Sequence, residues 1–89
     1  MRAIVTVIGK DRVGIIAEVC TLLAARGVNI LDISQTVMQE YFTMIMLVDT
    51  AACNVPFGEL SRDLAASGED RALSIRVQRE DIFEAMHRI

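Results

Sequence analysis

The sequence predicts an α+β fold in which one four-stranded antiparallel sheet carries two helices on one face. Three observations support it. Runs rich in β-branched residues alternate with two amphipathic helical patterns, two of the strands are separated by a tight connection, and the last strand alternates between apolar and polar residues. The length of 89 residues suits one domain, and we expect residues 1–89 to form it.

The first strand is predicted from Ala3 to Ile8, and its apolar residues on both faces are typical of a central strand. A helix follows, and it is predicted to end near Gly27, because glycine is favoured just after a helix. Its predicted apolar stripe is spaced by three and four residues and consists of Val13, Ile16, Val19, Cys20 and Leu23, widened by Ile15 and Leu22.

The middle of the chain predicts a β-hairpin. Residues 28–37 are extended and rich in polar side chains, which is typical of an edge strand. A tight connection over residues 38–41 leads to a second apolar strand, Phe42 to Val48. The two strands are therefore expected to pair with each other.

The second half of the chain predicts a helix, a strand and a short helical extension. Pro56 suits the first turn of the helix, and Ser67 with Gly68 is predicted to end it. The predicted buried stripe of this helix is Phe57, Leu60, Leu64 and Ala65. Leu73, Ile75 and Val77 then alternate with polar residues as in a half-buried strand. The resulting βαββαβ order is ferredoxin-like, and residues 80–89 are predicted to add a C-terminal helix whose apolar face is Ile82, Phe83, Met86 and Ile89.

Composition excludes several classes of function. The net charge of −3 and the pI near 5.0 argue against binding to nucleic acid, which demands a basic surface. The longest apolar run, residues 44–48, is far too short to cross a membrane, so we expect a cytoplasmic protein. The single histidine, His87, and the two unpatterned cysteines offer neither a catalytic triad nor a metal site. The sequence therefore predicts no enzyme, no cofactor and no metal.

The loop from Gly9 to Gly14 is the strongest indication of a binding site. It joins a strand to a helix between two glycines, where the free N–H groups of the first helical turn favour an anion. Simpler interpretations remain open for its residues and for the start of the second strand. Asp11 suits a helix cap, Arg12 a solvated side chain, Gly14 close packing on the sheet, and Asn29 a turn.

Three segments in the first half of the chain resemble an ACT domain, a small regulatory module that binds amino acids. They are AIVTVIGKDRVGIIA from Ala3, GVNILDISQT from Gly27 and FTMIMLVD from Phe42. The chain is most similar to the uncharacterised bacterial and archaeal proteins that consist of a single ACT domain. It also resembles the regulators of glycine-cleavage genes, which carry two such domains.

The resemblance implies an amino acid bound between two copies of the chain. The ligand would lie between the loop after the first strand of one copy and the start of the second strand of the other. Those positions are Asp11, Arg12, Val13 and Gly14, with the Ile15 amide, on one side and Asn29 and Ile30 on the other. The resemblance also implies regulation of a separate partner protein, whereas the alternative is an interaction module without a metabolite.

The sheet itself predicts further assembly. Two helices cover only one of its faces, yet the first and third strands are apolar on both. Either the C-terminal helix or a second subunit, or both, must therefore cover the other face. We expect a homodimer with sheets paired edge to edge or face to face.

Overall fold

The computed structural model describes residues 1–82, and its elements follow the predicted βαββαβ order. They are β1 (Arg2–Lys10), α1 (Ile15–Ala25), β2 (Asn29–Met38), β3 (Tyr41–Asp49), α2 (Phe57–Glu69) and β4 (Leu73–Arg79). The sheet order is β2-β3-β1-β4, and all three neighbouring pairs are antiparallel. The predicted ferredoxin-like fold is therefore confirmed, with β1 and β3 in the centre and β2 and β4 at the edges.

The core lies between the sheet and the helices. Since successive side chains of a strand point to opposite faces, each central strand contributes every second residue to it. The buried strand residues are Ala3, Val5 and Val7 of β1, Phe42, Met44, Met46 and Val48 of β3, and Leu73, Ile75 and Val77 of β4. The alternation predicted for the last strand is confirmed.

The predicted apolar stripe of α1 is wrong by about one residue at its start. Val13 is 98% exposed and Ile16 is 36% exposed, whereas Ile15 is buried together with Val19 and Leu23. The reason is that Gly14 has a φ of 93°, so the helix begins only at Ile15. A helical pattern in the sequence does not reveal such a turn in the backbone.

The predicted end of α2 is also wrong. The helix passes through Gly68 and ends at Glu69, with Gly68 buried and Ala65 exposed. A Cβ atom at Gly68 would lie 2.8 Å from the carbonyl oxygen of Leu73 and 2.9 Å from Cγ1 of Ile75. This glycine therefore permits close approach of α2 to β4 and does not terminate the helix.

The predicted hairpin is confirmed, because Met38 pairs with Tyr41 across a two-residue turn. Gln39 in this turn has a φ of 60°, a conformation that glycine usually supplies. Of the predicted C-terminal helix, residues 80–82 are helical. Its remainder, residues 83–89, lies outside the described residues.

Candidate functional site

The loop between β1 and α1 is fixed at both of its ends. The backbone N–H of Asp11 donates to the carbonyl oxygen of Glu40 at 2.7 Å, which ties the loop to the β2–β3 turn. At the other end, the N–H of Glu18 donates to the carbonyl oxygen of Gly14 at 2.9 Å and closes the first turn of α1. The loop therefore presents the start of the helix in a defined position beside the hairpin.

The first turn of α1 has no side-chain cap. Gly14 occupies the N-cap position and has no side chain to accept a hydrogen bond. The interpretation of Asp11 as the helix cap is therefore wrong. The N–H groups of Ile15, Ile16 and Ala17 precede the first helical hydrogen bond, so they are available as donors at the positive end of the helix dipole.

A groove of about 240 Å³ lies between this helix end and β2. Its apolar side comes from β2 and β3, and its polar groups come from the loop and from Gln35. The lining residues are Asp11, Arg12, Gly14, Ile15, Ile16, Ala17, Gln35, Val37 and Phe42. Four of the predicted site residues, Asp11, Arg12, Gly14 and Ile15, thus meet at one groove.

Gln35 is a groove residue that the sequence analysis did not identify. A β-bulge at Leu31 shifts the pairing of β2 with β3, after which Gln35 lies opposite Met44, a residue of the helix-covered face. Counting alternate residues back from Val37, which lies opposite Phe42, would have placed Gln35 on that face. The signal was therefore present in the strand pattern.

Three predicted residues lie away from the groove within one chain. Val13 is almost fully exposed and does not line it. Asn29 and Ile30 lie at the opposite end of β2, where Asn29 pairs with Asp49. At about 3.3 Å per residue, Asn29 is roughly 20 Å along the strand from Gln35. A single chain therefore does not bring the two predicted halves of the site together.

Arg12 is engaged in an ion-pair cluster. Its guanidinium donates to both carboxylate oxygens of Glu18 and, through Nη2, to the carbonyl oxygen of Arg71 at 3.3 Å. Glu18 Oε1 also lies 3.4 Å from Nε of Arg71. The cluster thus links the loop and α1 to the turn that follows α2.

The cluster changes the acidity of its members. The hydrogen bond from Arg12 lowers the pKa of Glu18 below its usual value, and the charges of Arg12 and Arg71 add to the effect. The same hydrogen bond raises the pKa of Arg12. Arg12 thus lines the groove while its guanidinium donates to Glu18 and to the Arg71 carbonyl oxygen.

Within residues 1–82, no three His, Cys, Asp or Glu side chains are grouped so that they could hold a metal ion. None of the helices in this part has the length and hydrophobicity required to cross a membrane. Cys20 and Cys53 are free and half-buried.

The geometry agrees with the comparison to protein families. Residues 2–78 match the family model described as an ACT domain. The chain belongs to the ACT domain family. A UPF0237 protein from Clostridium acetobutylicum is 54% identical over 89 residues, which cover 100% of both chains.

Two solved structures are similar to this ACT domain, one with a chain of about the same length and one with a longer chain. An ACT domain protein from Streptococcus pneumoniae superposes with a TM-score of 0.84 at 45% identity and covers 98% of both chains. A putative glycine cleavage system transcriptional repressor gives a TM-score of 0.72 at 26% identity, over 86% of this chain and 44% of that one. Both similarities confirm the resemblances that the sequence predicted.

Proposed function

We propose that this ACT domain is a non-catalytic regulatory protein of the cytoplasm that binds a free amino acid between two copies of the chain and signals to a separate protein. The observation that carries the proposal is the uncapped start of α1, which opens into the groove beside β2. The match to the ACT family over residues 2–78 supports a regulatory role.

The groove offers both kinds of partner that an amino acid needs. The N–H groups of Ile15, Ile16 and Ala17 suit the α-carboxylate, since they are hydrogen-bond donors at a positive helix end. The Asp11 carboxylate and the Gln35 carbonyl oxygen suit the ammonium group. The groove volume of about 240 Å³ is below the range of pockets for drug-sized ligands, which suits a ligand as small as a free amino acid.

A dimer would bring the distant residues to the groove. β2 is an edge strand, and its exposed apolar residues include Leu31, Ile33 and Val37. If two β2 edges pair antiparallel about an axis between Ile33 and Ser34, Asn29 of one copy lies opposite Met38 of the other. Because Met38 adjoins the turn that holds the Asp11 loop, this dimer would place Asn29 and Ile30 at the neighbouring groove.

On this proposal a separate protein responds to the ligand. The Clostridium relative is matched over its full length by this one domain. We therefore propose a partner protein whose binding depends on whether the groove is occupied.

The test is a thermal-shift measurement of the purified protein against each of the common amino acids at millimolar concentration. A ligand at 100 times its dissociation constant stabilises the native state by about 2.7 kcal/mol, which for a domain of this size raises Tm by roughly 10 °C or more. The variant Asp11→Asn should reduce the shift, because it removes the charge that would face the ammonium group.

The matched control is Asp81→Asn, the same change at an exposed residue beyond β4. This control should retain the full shift. Size-exclusion chromatography with light scattering should show a dimer at micromolar concentration. If the protein is a monomer, the proposal of a site between two copies is wrong. If no amino acid changes Tm, the proposal of an amino acid ligand is wrong.

An interaction module without a metabolite is the second candidate. The engagement of Arg12 with Glu18 and Arg71 favours it, because Arg12 is then not available to a ligand carboxylate. On this interpretation the dimer forms, no amino acid changes Tm, and Asp11→Asn has no effect on the binding of a co-purifying protein.

A further inference from the structure

The face of the sheet opposite the helices has an apolar centre, and we call this surface the open face. Because successive strand residues point to opposite faces, it carries the residues that alternate with the buried core. In its centre these are Ile4 and Ile8 of β1 and Ile45 and Leu47 of β3. Ile8 is 48% exposed and Ile45 is 43% exposed. Exposed apolar side chains that adjoin in this way are typical of surfaces that contact another protein.

The two edges of the open face carry opposite charges. At the β4 edge, Arg76 lies opposite Thr6. At the β2 edge, Asp32 lies opposite Leu47. Both charged side chains are exposed, and three strand spacings, about 14 Å, separate β4 from β2. The two charges are therefore too far apart to pair with each other within one chain.

Within residues 1–82 these two charges differ from their neighbours in having no ion-pair partner. On the same face Arg2 binds Glu80, with Nη2 lying 2.6 Å from Oε2. Asp32 accepts only a local hydrogen bond, from the N–H of Ile33 at 2.8 Å. A basic and an acidic side chain at opposite edges are thus available to a partner.

We propose that the open face binds a second copy of the chain, face to face, about a two-fold axis that runs parallel to the strands between β1 and β3. Sheets that pack with their strands nearly aligned lie about 10 Å apart. This axis places β4 of one copy over β2 of the other and β1 over β3. Arg76 of each copy then lies over Ser34 of the other, two residues from Asp32. The long arginine side chain can span that step of about 7 Å along the strand.

The same axis matches the apolar centre with itself. Ile4 and Leu47 are neighbours across β1 and β3, so Ile4 of each copy lies over Leu47 of the other. A depression of about 140 Å³ on the β2 side of this centre includes Asp32 and Ser34 in its lining. Because β4 of the second copy lies above it, the depression can receive the Arg76 side chain with its guanidinium beside Asp32.

The charges disfavour the other two-fold arrangement of aligned sheets. An axis perpendicular to the strands, midway between the sheets, would place β2 over β2 and β4 over β4. The two Asp32 side chains would then lie at one edge of the contact and the two Arg76 side chains at the other. Like charges brought together in this way oppose association. The axis parallel to the strands is therefore the one that pairs each arginine with an aspartate.

This contact is separate from the proposed ligand site. The groove lies on the helix-covered side of the sheet, and face-to-face pairing leaves the edge of β2 free. The inference therefore goes beyond the proposed function and needs no ligand. It adds a second surface for self-association, through which the chain can form assemblies larger than a dimer paired at β2.

The first test is methyl NMR of the protein at high concentration. The sample mixes chains that carry labelled isoleucine and leucine methyls with unlabelled chains, and an isotope filter retains only nuclear Overhauser effects between copies. We expect such effects from the methyls of Ile4, Ile45 and Leu47. If they arise only from Leu31 and Ile33 of the β2 edge, or not at all, the proposal is wrong.

Charge reversal tests the axis. Arg76→Asp and Asp32→Arg should each raise the concentration needed for face-to-face association about tenfold, because each places like charges at both symmetry-related contacts. The double variant restores both pairs between copies and should associate nearly as strongly as wild type. Sedimentation velocity at a series of protein concentrations measures the association of all four proteins.

Arg62→Asp is the matched control, since it makes the same charge change at an exposed residue of α2, on the helix-covered side. It should leave the association unchanged. If the single variants associate as the control does, the open face is not the contact surface. A double variant that associates no better than the single variants would also overturn the proposal, because the predicted pairs would not form.

Discussion

Gly68→Ala should destabilise the protein, although alanine is normally the better residue in a helix. The added Cβ would lie 2.8 Å from the Leu73 carbonyl oxygen and 2.9 Å from Cγ1 of Ile75. The carbonyl belongs to β4, which is fixed by its pairing with β1. Overpacking of this kind costs about 1–3 kcal/mol, whereas the gain in helix propensity is at most about 1 kcal/mol.

Two contacts below 3.0 Å place the cost in the upper part of that range, about 2–3 kcal/mol. The expected net loss is therefore roughly 1–2 kcal/mol, which for a domain of this size lowers Tm by about 4–15 °C. Gly58→Ala is the matched control in the same helix, since its Cβ would meet only Nη1 of Arg62 at 3.7 Å. It should leave Tm unchanged or raise it by a few degrees. Thermal denaturation followed by circular dichroism, at one fixed protein concentration, measures both. If Gly68→Ala is as stable as Gly58→Ala, the close contact between α2 and β4 is not as described.

Two further predictions concern α1. Ile15→Ala should cost about 2–5 kcal/mol in urea denaturation because Ile15 is buried, whereas Ile16→Ala should cost under about 1 kcal/mol; equal losses would contradict the helix register. Glu18→Gln should lower Tm at neutral pH, and its difference from wild type should shrink as the pH falls to roughly 3. The sign follows from the lowered pKa of Glu18, since a carboxylate with a lowered pKa stabilises the native state above its usual pKa and loses that contribution on protonation. A difference that grows towards acid pH would refute the role of the Arg12 hydrogen bond.

Strand positions and order were predictable because their signal is local. The β-branched run of β1, the polar β2 and the alternation of Leu73, Ile75 and Val77 each follow from the two-residue period of a strand. The ferredoxin-like order then followed from the succession of predicted strands and helices along the chain. The hairpin turn was also located correctly, even though Gln39 stands where glycine is usual.

Helix details were less predictable because they depend on contacts outside the helix. Glycine commonly ends a helix. Gly68, however, is buried inside α2, because the helix approaches Leu73 and Ile75 closely at this residue. Val13 has the spacing of a core residue, yet the positive φ of Gly14 places it outside α1. In both cases one backbone conformation or one interatomic contact outweighed a periodic pattern.

The candidate site was likewise predictable only in part. The glycine-bracketed loop was recognisable from the sequence, because a strand that feeds a helix through glycines exposes backbone donors wherever it occurs. Of its partners, Gln35 could have been placed on the helix-covered face from the alternation of β2, whereas the ion-pair partners of Arg12 could not be predicted from the sequence. The bulge at Leu31 turns Gln35 towards the groove, and the fold brings Glu18 and Arg71 together around Arg12.

The sequence by itself determined the order of strands and helices, the ACT resemblance and the location of the candidate binding loop, because each depends on residues close together in the chain. The tertiary structure decided which side chains join that loop and which do not. It separated Asn29 from the groove by most of the length of β2, and it engaged Arg12 with Glu18. These outcomes depend on strand pairing and on contacts between residues far apart in sequence, which local patterns do not encode.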